Sequence, residues 1–446
     1  MGGNPGWLDQ KTKSVMDRAI AREKRLSAML MTYILSGLVF MLLPGTFLGV
    51  WNLLSISRLQ AAESISPAWI QAHGHAQIFG WVSTFILGIG FYSIPKLRKM
   101  KPFPMWRAWF CWAVWTAGVL LRWAVTIWPW HWRVLLPFSA ALELAAFGVF
   151  FLTIGPAHAS PDGRRKPWEA WIFAVFAATA GLLATLVLQM FETLVLAHTG
   201  TSPAFPPDFD RRFLVVSTWG FLVPMVWGFS ARWLPVFLGL RPLRPALFLG
   251  ALGANTAGVL AALLGRFDLA VFLLLASGAS AGLAIRLFEP PERKPKTAGV
   301  HRSFPFFVRS GYVWLVIAAA LGVWAEQDAS GSAGIWGASR HALTVGFIAA
   351  MVFSVGQRVL PSFCGMRVLA SARLMFAGLA LLMTGCALRV SCEILAYQGY
   401  AGWAWGVLPV SALIEMSAVT LFAANLAWTF ARPPIVVQNP LTQFAE

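Results

Sequence analysis

Three apolar stretches of this chain share one register. Each ends at a proline, and twenty residues before Pro95, Pro235 and Pro361 stand His75, Val215 and His341. Five residues further on comes a glycine (Gly80, Gly220, Gly346), followed by an aromatic residue (Trp81, Phe221, Phe347), and the fifteenth position is small (Gly90, Ser230, Gly356). Aligned features of this kind in three copies constitute an internal repeat. Two copies begin with histidine and the middle one with valine. A site built on those histidines therefore joins the first copy to the third.

Each stretch is long enough to cross a bilayer as one helix, and comparable runs recur from end to end. Of the 446 residues 58% are hydrophobic and 12% charged, against about a quarter charged in soluble proteins. The chain is therefore an all-α polytopic membrane protein. Spans are expected near 29–51, 69–95, 105–127, 134–155, 169–196, 213–237, 244–264, 269–287, 306–325, 338–361, 372–396 and 405–430. They form one transmembrane domain over 28–430, in quartets of roughly 28–155, 169–287 and 306–430, between a basic segment 1–27 and a tail 431–446.

The net charge of +17 would suit a nucleic-acid partner, but its distribution excludes that reading. Lys96-Leu-Arg98-Lys99-Met-Lys101, Arg164-Arg165-Lys166, Arg241/Arg244 and Arg293-Lys294-Pro-Lys296 fall in alternate loops. The opposite loops are poor in lysine and carry Asp208, Asp210, Glu326 and Asp328. This is the positive-inside pattern, with both termini cytoplasmic in a bacterial inner membrane and the lipid bilayer as the principal partner. Cys111, Cys364, Cys386 and Cys392 form no CxxC pair and read as packing residues. No Walker motif, dinucleotide fingerprint or HExxH is present.

The polar residues of the spans follow the repeat. In the third helix of each quartet Ala117-Gly118, Ala257-Gly258 and Thr384-Gly385 lie at similar distances beyond the prolines, and Arg122 and Arg389 each follow such a glycine by four. The fourth helices of the outer quartets share Leu136-Pro137-Phe-Ser139-Ala140-Ala-Leu-Glu143 and Leu408-Pro409-Val-Ser411-Ala412-Leu-Ile-Glu415. A charge at the bilayer centre costs on the order of 2.5–3.5 kcal/mol on insertion scales, so matched glutamates are expected to serve a site.

Helices two and ten run from the outside in, which puts His73, His75 and His341 in their first turns. Two imidazoles on symmetry-related helices can clasp one haem. His73 and His75 lie about 200° apart around a helix, so only one can face the ring. Repeat register favours His75, while His73 lies over the more polar face of Gln77, Gly80 and Thr84. Arg122 and Arg389 are placed to meet haem propionates or the two glutamates. Interfacial histidines and snorkelling arginines are the plain alternative. His131, His158, His198 and His301 read as loop histidines, and Trp128, Trp130 and Trp132 as an interfacial aromatic belt.

Twelve helices in three quartets, with a histidine on helix two and another on helix ten, resemble subunit I of the haem-copper oxidases and nitric-oxide reductases, whose low-spin haem hangs between those helices. Gly90-Phe-Tyr92-Ser-Ile-Pro95 resembles the same exit in nitric-oxide reductases. A closer resemblance is to the NnrS family, membrane proteins of nitric-oxide stress described as containing haem and copper. Its HxHxMxFG pattern is similar to His73-Gly-His75-Ala-Gln77-Ile-Phe79-Gly80, with glutamine at the methionine position, and its later pattern to Arg340-His341-Ala-Leu-Thr-Val-Gly346.

The resemblance implies one haem b, with copper as a second candidate metal, and nitric oxide or a redox protein as partner. Oxidases place a copper histidine on helix six and two on helix seven. Here Val215 stands on helix six, 244–264 contains no histidine, and Ser339 occupies the place of the high-spin ligand two residues before His341. Oxygen reduction of the oxidase type is thereby excluded. Two readings from other classes compete: a transporter or metal-delivery protein with a polar pathway between the outer quartets, and a structural haem subunit of a respiratory complex.

Overall fold

The computed structural model describes residues 5–61, 64–155, 169–328 and 333–434. His158, Arg164-Arg165-Lys166 and residues 435–446 lie outside them. The described residues are helical and contain no strand. Among the described residues twelve helices are long and apolar enough to span a membrane. Helices one to four are Met16–Leu59, Pro67–Leu97, Met105–Ile127 and Trp132–Ile154. Helices five to eight are Ala170–Thr199, Pro207–Leu238, Pro245–Leu263 and Phe267–Ala284. Helices nine to twelve are Phe304–Gln327, Gly334–Phe363, Ala372–Tyr397 and Ala404–Ala431. Because successive spans alternate in direction, the described basic loops after helices two, six and eight share one face, and the lysine-poor loops before helices six and ten share the other.

The ends agree with the expected spans to a few residues, except that helix six already opens at Pro207 and helix one is helical from Pro5 and continues to Leu59. Prolines open helices two, six, seven and nine, where the missing amide leaves no intrahelical bond unmade.

The repeat has a structural counterpart that its residues did not disclose. Helices two, six and ten each pass through a π-helical segment, at Ala76–Ser83, Val216–Leu222 and Ala342–Ala349. Each begins one residue after His75, Val215 or His341 and contains the repeated glycine. That glycine is the point where the second helix of a quartet meets the first. A Cβ at Gly80 would stand 2.8 Å from the Phe40 ring, and one at Gly346 2.6 Å from Trp314. In the middle quartet the Gly220 carbonyl abuts Gly181, where any side chain would overlap it. A fourth π segment, Met41–Phe47, lies in helix one against that of helix two.

The third and fourth helices are joined in the same threefold way. A Cβ at Gly118 would meet Glu143 Cγ at 2.9 Å, and one at Gly385 would meet Glu415 Cγ at 2.6 Å. At Gly258 the neighbour is Leu274, at 3.0 Å. The bare glycine face thus seats a glutamate in the outer quartets and a leucine in the middle one.

On the basic-loop face the Tyr92 hydroxyl donates to Glu23 Oε1 at 2.6 Å, and Lys96 Nζ reaches both Glu23 oxygens at 2.7 and 2.8 Å. This ties helix one to the exit of helix two. The loop after helix eight docks beneath helix six, where the Gly239 carbonyl accepts from the amides of Glu292 and Arg293 at 2.8 and 3.1 Å.

Candidate functional site

The matched polar residues gather into two clusters at the lysine-poor end, one in each outer quartet. The first is closed. His75 Nε2–H donates to Glu143 Oε1 at 3.0 Å, and Gln189 Nε2 of helix five donates to Glu143 Oε2 at 3.0 Å. Glu143 is wholly buried, and a carboxylate there is tolerable only because both oxygens are bonded. Arg122, 3% exposed, lies in the field of Glu143 and Asp210.

Aromatic rings fill the remaining space. His75 stacks on Phe79 at 4.5 Å, Phe79 lies 6.2 Å from Phe213, and Phe213 meets Phe205 at 5.3 Å. Phe205 covers the Arg122 guanidinium at 4.4 Å. Its backbone is clasped at both ends by the Gln71 side chain, through bonds of 3.0 and 2.8 Å.

The second cluster is open. His341 Nδ1–H donates to the Gly337 carbonyl at 3.0 Å, with Glu393 Oε2 at 3.5 Å. Arg389 Nη2 lies 3.4 Å from Glu393 Oε1. Across from them, His73 Nδ1–H donates to the Gly45 carbonyl of helix one at 2.8 Å, and its ring lies on Gly49, where a Cβ would come within 2.6 Å. The Arg389 guanidinium acts electrostatically on His73.

Both imidazoles are thus fixed in the same tautomer. The carbonyl takes the proton-bearing Nδ1, and no described protein group bonds either Nε2. His73 and Glu415 are half-buried. The outer ends of helices two and ten do not pack closely against each other. Arg389 Nη1, Glu393 Oε2 and Glu415 Oε1 are buried without a hydrogen-bond partner among the described residues.

This donor set fits a flat metal complex with two imidazole ligands and acidic substituents. Two imidazole nitrogens carry no bond from a described group, and an unpaired guanidinium hydrogen of Arg389 stands ready for a carboxylate. A copper centre finds no such support. Among the described residues no three His, Cys, Asp or Glu side chains converge to hold a metal ion. Ser339 Oγ donates to the Ala318 carbonyl at 2.8 Å.

The structure therefore divides the seven residues that the sequence groups together. His73, His341, Arg389 and Glu415 line the open cluster, while His75, Glu143 and Arg122 form the closed one. Sequence reading missed Glu393, whose i,i+4 spacing from Arg389 was its only signal. It also missed Gln189 and the Gly45/Gly49 seat of His73, which belong to no repeat. His131 and His198 are exposed loop-edge residues, and His301 bonds Ser303 Oγ at 2.7 Å. All four cysteines are buried and free.

A family described as a domain of unknown function (DUF8744) matches residues 291–429, which hold the second cluster's His341, Arg389, Glu393 and Glu415. No curated protein matches the sequence. Among solved structures the chain is similar to a haem-copper terminal oxidase dimer determined by cryo-electron microscopy. The identity is 13% and the TM-score 0.61, over 92% of this chain and 85% of that one. This likeness shows the fold: a multi-pass helical membrane protein built like a haem-copper oxidase.

Proposed function

We propose that the protein holds one haem b between helices two and ten, where His73 and His341 would hold its iron and Arg389 would pair with one of its carboxylates. The observation that carries this reading is the matched tautomer of the two imidazoles, each tied through Nδ1 to a backbone carbonyl with no described group bonded to Nε2. An outer-shell acceptor of this kind fixes the ring and raises the basicity of the ligating nitrogen. Repeat register alone favours His75, but His75 spends Nε2 on Glu143. It serves instead to tie helix two to helices four and five.

Bound there, the haem would supply one-electron exchange. His341, with 28% of its side chain accessible, sets the site close to the lysine-poor face. The role is electron transfer or nitric-oxide handling on that side of the bacterial inner membrane, as in the NnrS proteins that the sequence resembles. Residues for an oxidase-type copper centre are lacking.

A reduced-minus-oxidised spectrum of the purified protein is the test. A low-spin b-type spectrum is expected, lost or turned high-spin in His73→Ala and His341→Ala and kept in His75→Ala. A colourless protein after expression with ample haem overturns the reading. Loss of haem in His75→Ala but not His73→Ala restores the ligand that the register favours.

A transporter reading requires a continuous polar path between the outer quartets. The rings of Phe79, Phe213 and Phe205 close the first cluster against one.

A further inference from the structure

Between helices two, four, five and six, in the half of the molecule nearer the basic loops, lies a cleft far from both polar clusters. Its lining is apolar, formed among others by Ile86, Ile94, Leu97, Phe150, Trp171 and Met225, with Arg232 at its side. Several of these side chains keep accessible surface, so the cleft opens sideways toward lipid.

Two hydroxyls also line the cleft, and both are already engaged on their own helices. Ser93 donates to the Ile89 carbonyl and Thr179 to the Val175 carbonyl, each at 2.7 Å. Arg232 remains. Its Nε is buried and has no hydrogen-bond partner among the described residues, while its guanidinium lies 5.6 Å from the Trp233 ring. Among the described residues no acidic side chain lines the cleft to neutralise it.

We propose that this cleft binds one anionic phospholipid from the leaflet on the basic-loop side, with its phosphate on Arg232 and an acyl chain along helix two. The shape asks for an amphiphile with a polar group at one end only. From Leu97 to Ile86 the apolar lining runs about 16 Å at 1.5 Å per residue. Arg232 lies about a turn and a half from the end of helix six, within reach of the headgroup layer. A guanidinium with a free hydrogen and no acidic neighbour favours a net-negative headgroup over a zwitterionic one, whose ammonium would find no acceptor. The basic loops around it draw the same class of lipid to this face.

The test uses the full chain, purified in neutral detergent, stripped of lipid and studied by native mass spectrometry. Phosphatidylglycerol and phosphatidylethanolamine with matched chains are the probes. One phosphatidylglycerol should be retained about tenfold more tightly than phosphatidylethanolamine. Arg232→Gln should erase that preference, whereas Arg373→Gln, at an exposed cation on the same face, should leave it. Thr179→Phe, which fills the cleft and spares the arginine, should weaken both lipids; it also decides the matter if Arg232→Gln does not fold. Three results with these variants and probes overturn the proposal, and a fourth with a different ligand does so too. The three are an unchanged preference in Arg232→Gln, unchanged binding in Thr179→Phe, and glycerol phosphate binding as tightly as the lipid. Preference for a short-chain quinone over phosphatidylglycerol overturns it as well, in favour of a quinone site.

Discussion

At the scale of single residues, the two histidines of helix two illustrate how a two-residue spacing separates structure from chemistry. His75 is an anchor, and its partner Glu143 accepts from both His75 and Gln189. Removing one member of a buried pair strands the others, at a cost of about 3–5 kcal/mol. Glu143→Ala should therefore lower stability by about that amount in a denaturant titration, with Glu143→Gln losing clearly less because it still offers one carbonyl. Glu415, whose Oε1 has no partner, should respond differently. Glu415→Gln should leave stability within about 1 kcal/mol of the parent, since no charged partner bonds that oxygen. The importance of both glutamates was legible in the sequence from their matched motifs. Their different surroundings were not, because Gln189 and the aromatic rings come from segments that carry no repeat signal.

At the scale of elements, the informative feature is the π segment that follows each repeat start. A π turn interrupts the regular helical phase, so the outer stub of helix two does not continue the phase of the helix below it. Counting at 3.6 residues per turn across such a segment misplaces every side chain above it. That is the physical reason why the repeat register, which favours His75, does not by itself report what either histidine faces. The glycines at these segments carry a direct prediction. Gly80→Ala and Gly346→Ala press a methyl group into the Phe40 and Trp314 rings and should destabilise the protein by about 1–3 kcal/mol. Gly74, in the same helix as Gly80, has nothing within 4 Å of its would-be Cβ. Gly74→Ala should be neutral or stabilising by up to about 1 kcal/mol, the ordinary gain in helix propensity. Equal losses in Gly74→Ala and Gly80→Ala, read from thermal melts, would count against close packing as the role of the repeated glycine.

At the scale of the whole molecule, span number and approximate ends were legible because hydropathy and loop charge report them directly. Reporter fusions near residues 60, 200 and 330 should all read as periplasmic, and a cytoplasmic signal at 200 would break the quartet assignment. The middle quartet reads most clearly as a substitute for its neighbours. Valine stands for histidine at Val215 and leucine for glutamate at Leu274, with the packing geometry kept and the chemistry removed. The π segments outlast that loss, for helix six retains its own at Val216–Leu222 although it holds no histidine to orient. The segment therefore goes with the close glycine contact between the first and second helices of a quartet, which all three copies keep, and not with the presence of an imidazole. A site that uses a histidine just outside it borrows a bend that packing already requires.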